Sequence, residues 1–497
     1  MSHGATGTID HAAQAQLVLD SIVDQTLSNK QRMAIPVQDM PCQDPLERGH
    51  NMDEVALGYT EAQARVEAAR CLQCKNAPCV PGCPVAIDIP GFIALVANGE
   101  YRGAADVIRN ANLLPAICGR VCPQEKQCQL PCTLGKALKG VDKAVQIGRL
   151  ERFVADRERA AGGAPLPTVA PPTGKRVAII GAGPAGMTVA ADIRREGHEV
   201  VIYEAFQKPG GVMVYGIPEF RLPKAIVREE AEKLERMGVR FELNTLIGRT
   251  RPLAALLAED GFDAAFVGVG AGLPKFMDIP GENLVGVFSA NEYLTRANLM
   301  KAWDKGHAAT PLFPSKRVAV LGGGNVAMDA ARMALRLGAE EVRVLYRRTM
   351  EEMPARAEEV HHAVEEGIIF DLLASPSAVL GDEGGRVRGL RVVDYQLGEP
   401  DDSGRRSPVA IAGSEHDVPF DTVIVAVGNE SNPLLAKTTP GLAVDRKGHV
   451  LVDAQQKTAL DRVWAGGDIV LGAATVILAM GEGRRAAAAI NAYLCSV

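Results

Sequence analysis

Two patterns in this 497-residue chain could do chemistry: a crowded set of cysteines and a repeated glycine turn. Eight of the ten cysteines lie between Cys71 and Cys132. They read Cys71-x2-Cys74-x4-Cys79-x3-Cys83-Pro84, then Cys118-x3-Cys122-Pro123, Cys128 and Cys132. Clustering of this kind, in a chain whose first residues lack a basic stretch followed by an apolar one, favours metal ligation over a disulfide framework. Thiolates at short loop spacings suit a [4Fe–4S] cube. Zinc is the rival. A four-cysteine zinc site usually pairs two C-x2-C knuckles, and only Cys71 and Cys74 have that spacing. Cys42 stands apart and reads as an idle thiol.

The glycine turn appears first in KRVAIIGAGPAGMTVAADIRREGHEVVIYE, Lys175 to Glu204. An apolar β-branched run leads into Gly181, Gly183 and Gly186, spaced G-x-G-x-x-G, and a helix-compatible segment follows to Arg195. Gly181 allows the tight turn, Gly183 lets the backbone approach a pyrophosphate, and Gly186 lets helix and strand pack closely. The helix N-terminus offers N–H groups to that pyrophosphate, and Glu204, closing the second strand, is placed to accept from ribose hydroxyls. The pattern returns at KRVAVLGGGNVAMDAARMALRLGAEEVRVLYRR, with Gly322, Gly324 and Ala327 as G-x-G-x-x-A. Here the second strand ends in Arg347 and Arg348 instead of an acid. A ribose 2′-phosphate needs cationic donors, so the second turn favours NADP(H) over NAD(H).

These turns need strands and helices to hold them. A length of 497 residues predicts about three domains. Thr60 is placed to cap a helix over TEAQARVEAARC, ahead of the first cysteines. A Pro- and Gly-rich tract, Ala161 to Gly174, reads as a linker. The segment GGVMVYGIPEFRLPK, Gly210 to Lys224, reads as a loop passing close to a flat cofactor. A helix over 225–237 and a strand over 239–243 follow. The strand-like run Thr422 to Ala426 leads into the turn Val427-Gly428-Asn429. Val463 to Thr475, VWAGGDIVLGAAT, then supplies a strand, a Gly-Gly-Asp turn and a helix start, so that Asp468 could bind the ribitol hydroxyls of a flavin. The first fold is therefore split in sequence and resumes after the second. His361, His362, Glu358, Glu359, Glu365 and Glu366 read as a solvated face. No cysteine lies between Cys132 and Cys495, which argues against a dithiol reductase. A composition 47% hydrophobic and 23% charged, with a net charge of −6, points to a globular cytoplasmic protein and to neither nucleic acid nor membrane.

The two cysteine groups, each with a Cys-Pro step, resemble the two-cluster bacterial ferredoxin pattern, in which the last cysteine of a run serves the other cluster. From about Tyr59 to the C-terminus the chain also resembles the small subunits of NADPH-dependent glutamate synthase. Their relatives include the large subunit of electron-bifurcating ferredoxin:NADP transhydrogenase and the N-terminal half of dihydropyrimidine dehydrogenase. The segments that carry the likeness are CLQCKNAPCVPGCPV, CGRVCPQEKQC, IGRLERF, GAGPAG, YGIPEFRLPK, GGGNVAMD, YRRTMEEMPA and AGGD.

The resemblance implies an α/β protein with four segments: a helical two-cluster domain over 1–165, a first FAD segment over 174–312, an inserted NADPH domain over 313–430, and a second FAD segment over 431–497. By the same likeness Cys71, Cys74, Cys79 and Cys132 hold one [4Fe–4S] cluster, and Cys83, Cys122, Cys128 and Glu151 hold the other. Cys118 is then a spare, with eight thiol ligands as the alternative. FAD falls to Gly181, Gly183, Gly186, Glu204, Gly211, Arg221, Asp468 and Thr475. NADPH falls to Gly322, Gly324, Asn325, Val326, Ala327, Arg347, Arg348 and the turn Ala426 to Gly428. The implied activity is electron input from NADPH to a large subunit that forms glutamate, in a hetero-oligomer. Transhydrogenase or pyrimidine reduction is the alternative. Hydride transfer requires no acid–base side chain, and none is nominated.

Overall fold

A computed structural model describes residues 11–23, 25–304, 306, 308, 310–401 and 404–496. It divides into two compact units. One comprises Met1–Gln43, Val55–Pro167 and Thr475–Gly481, and the other Asp44–Glu54, Thr168–Ala474 and Glu482–Val497.

The first unit is built from helices. Thr60 caps helix Glu61–Ala69 as expected, through a reciprocal capping box with Gln63. Helices Ile89–Ala97, Tyr101–Ala111, Pro115–Val121 and Ile147–Ala160 pack around a core that contains Phe92, Ile93, Ile108, Leu150 and five of the cysteines. Two glycines make that packing close. A Cβ on Gly119 would sit 2.6 Å from the Arg152 backbone nitrogen, so helix Pro115–Val121 lies against helix Ile147–Ala160 backbone to backbone. A Cβ on Gly82 would lie 2.9 Å from Pro131 and 3.3 Å from the Cys128 Cα, so the first cysteine run passes directly over the second.

The second unit holds two five-stranded parallel sheets of the same design. The first runs Val463–Ala465, Ala264–Val267, Arg176–Ile180, Glu199–Tyr203, Arg240–Glu242. The second runs Val287–Ser289, Thr422–Val425, Arg317–Leu321, Glu341–Tyr346, Ile369–Leu372. The first sheet takes its edge strand from beyond the second, so the second fold is inserted in the first, as the sequence predicts. Leu273–Pro274 and Asn429–Glu430 pair antiparallel where the chain passes between the two folds. An antiparallel sheet, Ala374–Gly381, Val387–Pro400, Arg406–Ala410 and His416–Val418, covers one face of the second fold through Leu390, Val392 and Phe420. The sequence reading did not foresee it. No helix among the described residues is long and apolar enough to cross a membrane.

The supposed solvated face around His361 needs correction. His361 is exposed, but Glu359, His362 and Glu366 are buried. They lie three and seven residues apart, on one helical stripe, and that stripe faces the arginines of helix Asn325–Arg336. Glu366 accepts from Arg332 Nη2 at 2.7 Å, Arg336 Nη1 at 2.8 Å and Arg48 Nε at 3.0 Å. Glu359 takes Arg332 and Arg221. The guanidinium of Arg336 stacks on Phe220 at 3.9 Å. The surrounding arginines hold both glutamates down at about 2, while burial and Arg332 push His362 down to about 4.

These shifts fix the sign of a pH response. A depressed folded pKa means that the unfolded chain binds more protons, so stability falls as pH falls. The glutamate contribution is complete above the unfolded value near 4.5 and is lost toward about 2. The His362 loss between 6.5 and about 4 is opposed by Asp329, which burial raises to about 6. Urea unfolding of wild type and Glu366→Gln should therefore differ by a constant amount above pH 4.5, and the difference should shrink as the pH drops toward 2. A gap that widens on acidification would contradict the assignment.

Candidate cofactor and metal sites

Both glycine turns sit at the carboxyl ends of parallel strands, and their glycines do different work. Gly181 has φ +105, and a Cβ there would meet Gly268 O at 2.4 Å. A Cβ on Gly186 would meet Gly181 O at 2.0 Å. By contrast, a Cβ on Gly183, the N-cap of helix Pro184–Arg195, would meet no protein atom within 4 Å. The second turn repeats this. Gly322 has φ +136 with Ala426 O at 2.4 Å, whereas Gly324 and Gly428 face open space. Two helix N-termini thus present bare backbone to a volume that the protein leaves empty, which fits a pyrophosphate at each.

Around the first turn, Glu204 is buried and accepts from the backbone N–H of Ala182 at 2.8 Å and of Phe206 at 2.9 Å. Gly211, with φ +55, brings the next loop to within a Cβ's 2.9 Å of the Gly183 Cα. Tyr215, from that loop, has its hydroxyl pKa raised by burial and then by the charges of Asp468 and Glu204. Burial also raises Asp468 to about 6, and its carboxylate accepts from Ala474 N–H. A half-buried carboxylate with capacity to accept fits a polyol such as ribitol. Thr475 caps the last helix, Val476–Leu494, accepting from Leu478 N–H at 3.3 Å. Arg221 stands elsewhere: its guanidinium binds Asp329 at 2.6 and 2.8 Å and pairs with Glu359, which ties its loop to the second fold.

At the second turn, Asn325 and Val326 open helix Asn325–Arg336. Asn325 Oδ1 accepts from Arg356 N–H at 2.8 Å, and Ala327 is buried under the turn. The two arginines separate. Arg348 is buried, donating to Asp401 at 2.6 Å and to Arg406 O at 2.7 Å, because it faces the antiparallel sheet. Arg347, on the other side of the strand end, is exposed. Its guanidinium is the one left available to a phosphate.

In the helical unit the donors act on one another as two overlapping groups. Burial raises Cys71 to about 11, with the thiols of Cys132 and Cys74 adding to it. Cys79, raised to about 12, is likewise affected by Cys71, Cys132 and Cys74. Cys83 is raised by burial and then by the charges of Glu151 and Cys122, and Cys128 by burial and then by Cys122, Glu151, Cys83 and Cys79. Glu151 itself is buried and pushed up to about 8 by desolvation. Burial holds these thiols and Glu151 in their neutral forms, so a metal that takes them as ligands must displace their protons, and the soft donor set fits iron clusters. No three His, Cys, Asp or Glu side chains among the described residues are gathered tightly enough to hold a single metal ion.

Comparison with known proteins now adds to this geometry. The family described as dihydropyrimidine dehydrogenase domain II, 4Fe-4S cluster, matches residues 48–163, and the pyridine nucleotide-disulphide oxidoreductase family matches residues 175–490. The chain is 39% identical to the glutamate synthase [NADPH] small chain of Halomonas elongata over 454 residues, covering 90% of this chain and 94% of that one. The chain belongs to the glutamate synthase small-chain family. The Escherichia coli K12 small chain is 38% identical, over 89% of this chain and 93% of that one. Mycobacterium tuberculosis FprA in complex with NADPH shares the fold, with a TM-score of 0.56 at 20% identity over 66% of this chain and 85% of that one.

Within this small-chain fold, three features escaped the sequence reading. Gly268-Val269-Gly270 closes the first turn as Ala426-Val427-Gly428 closes the second, and Gly270 likewise faces open space. The internal repeat was the signal that could have found it. Tyr215 lay inside a segment recognised as a loop, and Asn112 carried no motif.

Proposed function

We propose that this chain is the NADPH-oxidising electron-input subunit of a glutamate synthase, passing electrons through FAD and two [4Fe–4S] clusters to a large subunit that forms glutamate. The observation that carries the reading is the pair of dinucleotide turns with open faces, in a chain that also buries Cys71, Cys79, Cys83, Cys122, Cys128, Cys132 and Glu151 in its helical unit. Bound FAD and the clusters supply the conversion of a hydride's two electrons into single-electron transfer. The protein's own residues bind and orient. Gly181, Gly183, Gly186 and Gly211 admit the FAD pyrophosphate, and Glu204 and Asp468 accept hydroxyls. Gly322, Gly324, Asn325, Val326, Ala327 and the turn Ala426 to Gly428 receive NADPH. Cys71, Cys74, Cys79 and Cys132 take one cluster, and Cys83, Cys122, Cys128 and Glu151 the other.

Arg347 pairs the 2′-phosphate. A hydrogen bond to a charged group contributes about 1.5–3 kcal/mol, so Arg347→Ala should raise the NADPH KM by roughly 10- to 150-fold and leave the NADH KM nearly unchanged. Arg348→Ala should act on stability first, through the lost Asp401 pair. Steady-state kinetics with both nucleotides checks this, and an unchanged NADPH KM in Arg347→Ala contradicts the role. For the partner, gentle anaerobic purification should bring down a large amidotransferase chain. A flavoprotein of ferredoxin-reductase type in its place would overturn the glutamate synthase assignment.

A further inference from the structure

The second donor group contains one group too many: Glu151 and Cys118 both reach it. One buried amide touches both. Asn112 is fully buried at the end of helix Tyr101–Ala111, where its N–H closes on Ile108 O at 2.8 Å. Its Oδ1 accepts the Leu114 N–H at 2.9 Å. That bond fixes the amide, because a flipped side chain would turn Nδ2 toward a donor and Oδ1 toward a carboxylate. With Oδ1 held there, Nδ2 points at Glu151 and donates to its Oε1. The same Oδ1 lies 3.7 Å from Cys118 Sγ, in the range of an S–H donor, and Met480 Sδ flanks the thiol at 3.7 Å. Cys118 is fully buried, one helical turn before Cys122 on helix Pro115–Val121, and is also hydrogen-bonded to Cys122.

We propose that Asn112 is a positioning residue that selects the fourth ligand of the second cluster: its Nδ2–H holds the Glu151 carboxylate toward the site while its Oδ1 takes the Cys118 S–H and keeps that thiol out of coordination. The inference rests on the two-cluster reading above. It assigns the second site three thiolates and one carboxylate, with Cys118 as a reserve ligand that enters, releasing its proton to buffer, only when Glu151 is absent. A carboxylate oxygen and a thiolate donate charge to iron differently, so the choice sets the cluster's potential and spectrum.

The test uses the full-length chain, reconstituted anaerobically with iron and sulfide. Iron and sulfide are counted, and EPR and potentiometry are run on the reduced protein. Cys118→Ser should retain about eight irons and the wild-type signals of both clusters. Asn112→Leu should retain iron but shift the signal and midpoint of one cluster and not the other. Glu151→Ala should keep about eight irons, and Glu151→Ala with Cys118→Ser about four. Loss of about four irons in Cys118→Ser alone, or both signals unmoved in Asn112→Leu, overturns the selection by Asn112. Wild type that reconstitutes with fewer than about eight irons overturns the two-cluster reading itself, and the inference with it.

Discussion

Cys79→Ala should leave the purified chain with about four irons instead of about eight and abolish electron delivery to the partner, while NADPH still reduces the flavin. The argument starts from position. Cys79 is buried, and the thiols of Cys71, Cys132 and Cys74 raise its pKa further. Three thiols of that group come from one short run and the fourth from the end of the next. Gly82 allows the interleaving by letting the runs touch. Alanine offers no donor, and the remaining three thiols leave one iron corner open. The second group keeps all its members, so its spectrum should persist. Loss of all the iron would mean that the two groups are a single site.

Glu366→Gln should destabilise the second unit by about 3–5 kcal/mol, the range seen when one partner of a buried ion pair is removed. Glu366 is the common acceptor of Arg48, Arg332 and Arg336, and all three guanidinium groups are buried. Neutralising it leaves Glu359 to serve Arg332 and Arg221, and Arg336 keeps its stacking on Phe220 but loses its carboxylate partner. Glu365→Gln is the contrasting control. Its side chain is about a third exposed and pairs with Arg48 at the edge, so its loss should cost about 1 kcal/mol or less. Denaturant unfolding of the two variants separates them, and equal effects would contradict a Glu366-centred cluster.

The dinucleotide folds were legible because their glycines answer local needs. Gly181 and Gly322 occupy backbone that a Cβ forbids, and those needs recur at fixed spacing between a strand and a helix. The insertion was legible from the same repetition. Grouping of the cysteines could be read from spacing, whereas their partition came from family likeness, because which run touches which depends on loop packing at Gly82 and helix packing at Gly119. Side-chain commitments were not legible. Arg347 and Arg348 are adjacent letters, but alternate faces of a strand end send one to solvent and the other to Asp401. Glu359 and Glu366 look like surface charge until arginines from two distant segments, Arg48 and Arg221, are brought to them by the fold. Asn112 shows the same limit. An isolated asparagine has no signature, and its meaning lies in being held by Leu114 while facing Glu151.

The most direct test of the account mixes the reconstituted chain with a glutamate synthase large chain, glutamine, 2-oxoglutarate and NADPH under anaerobic conditions, following NADPH and glutamate together. Electron input predicts glutamate formed in step with NADPH consumed, with neither change when this chain is left out. NADPH consumption that reduces dyes but yields no glutamate with the large chain present would contradict it.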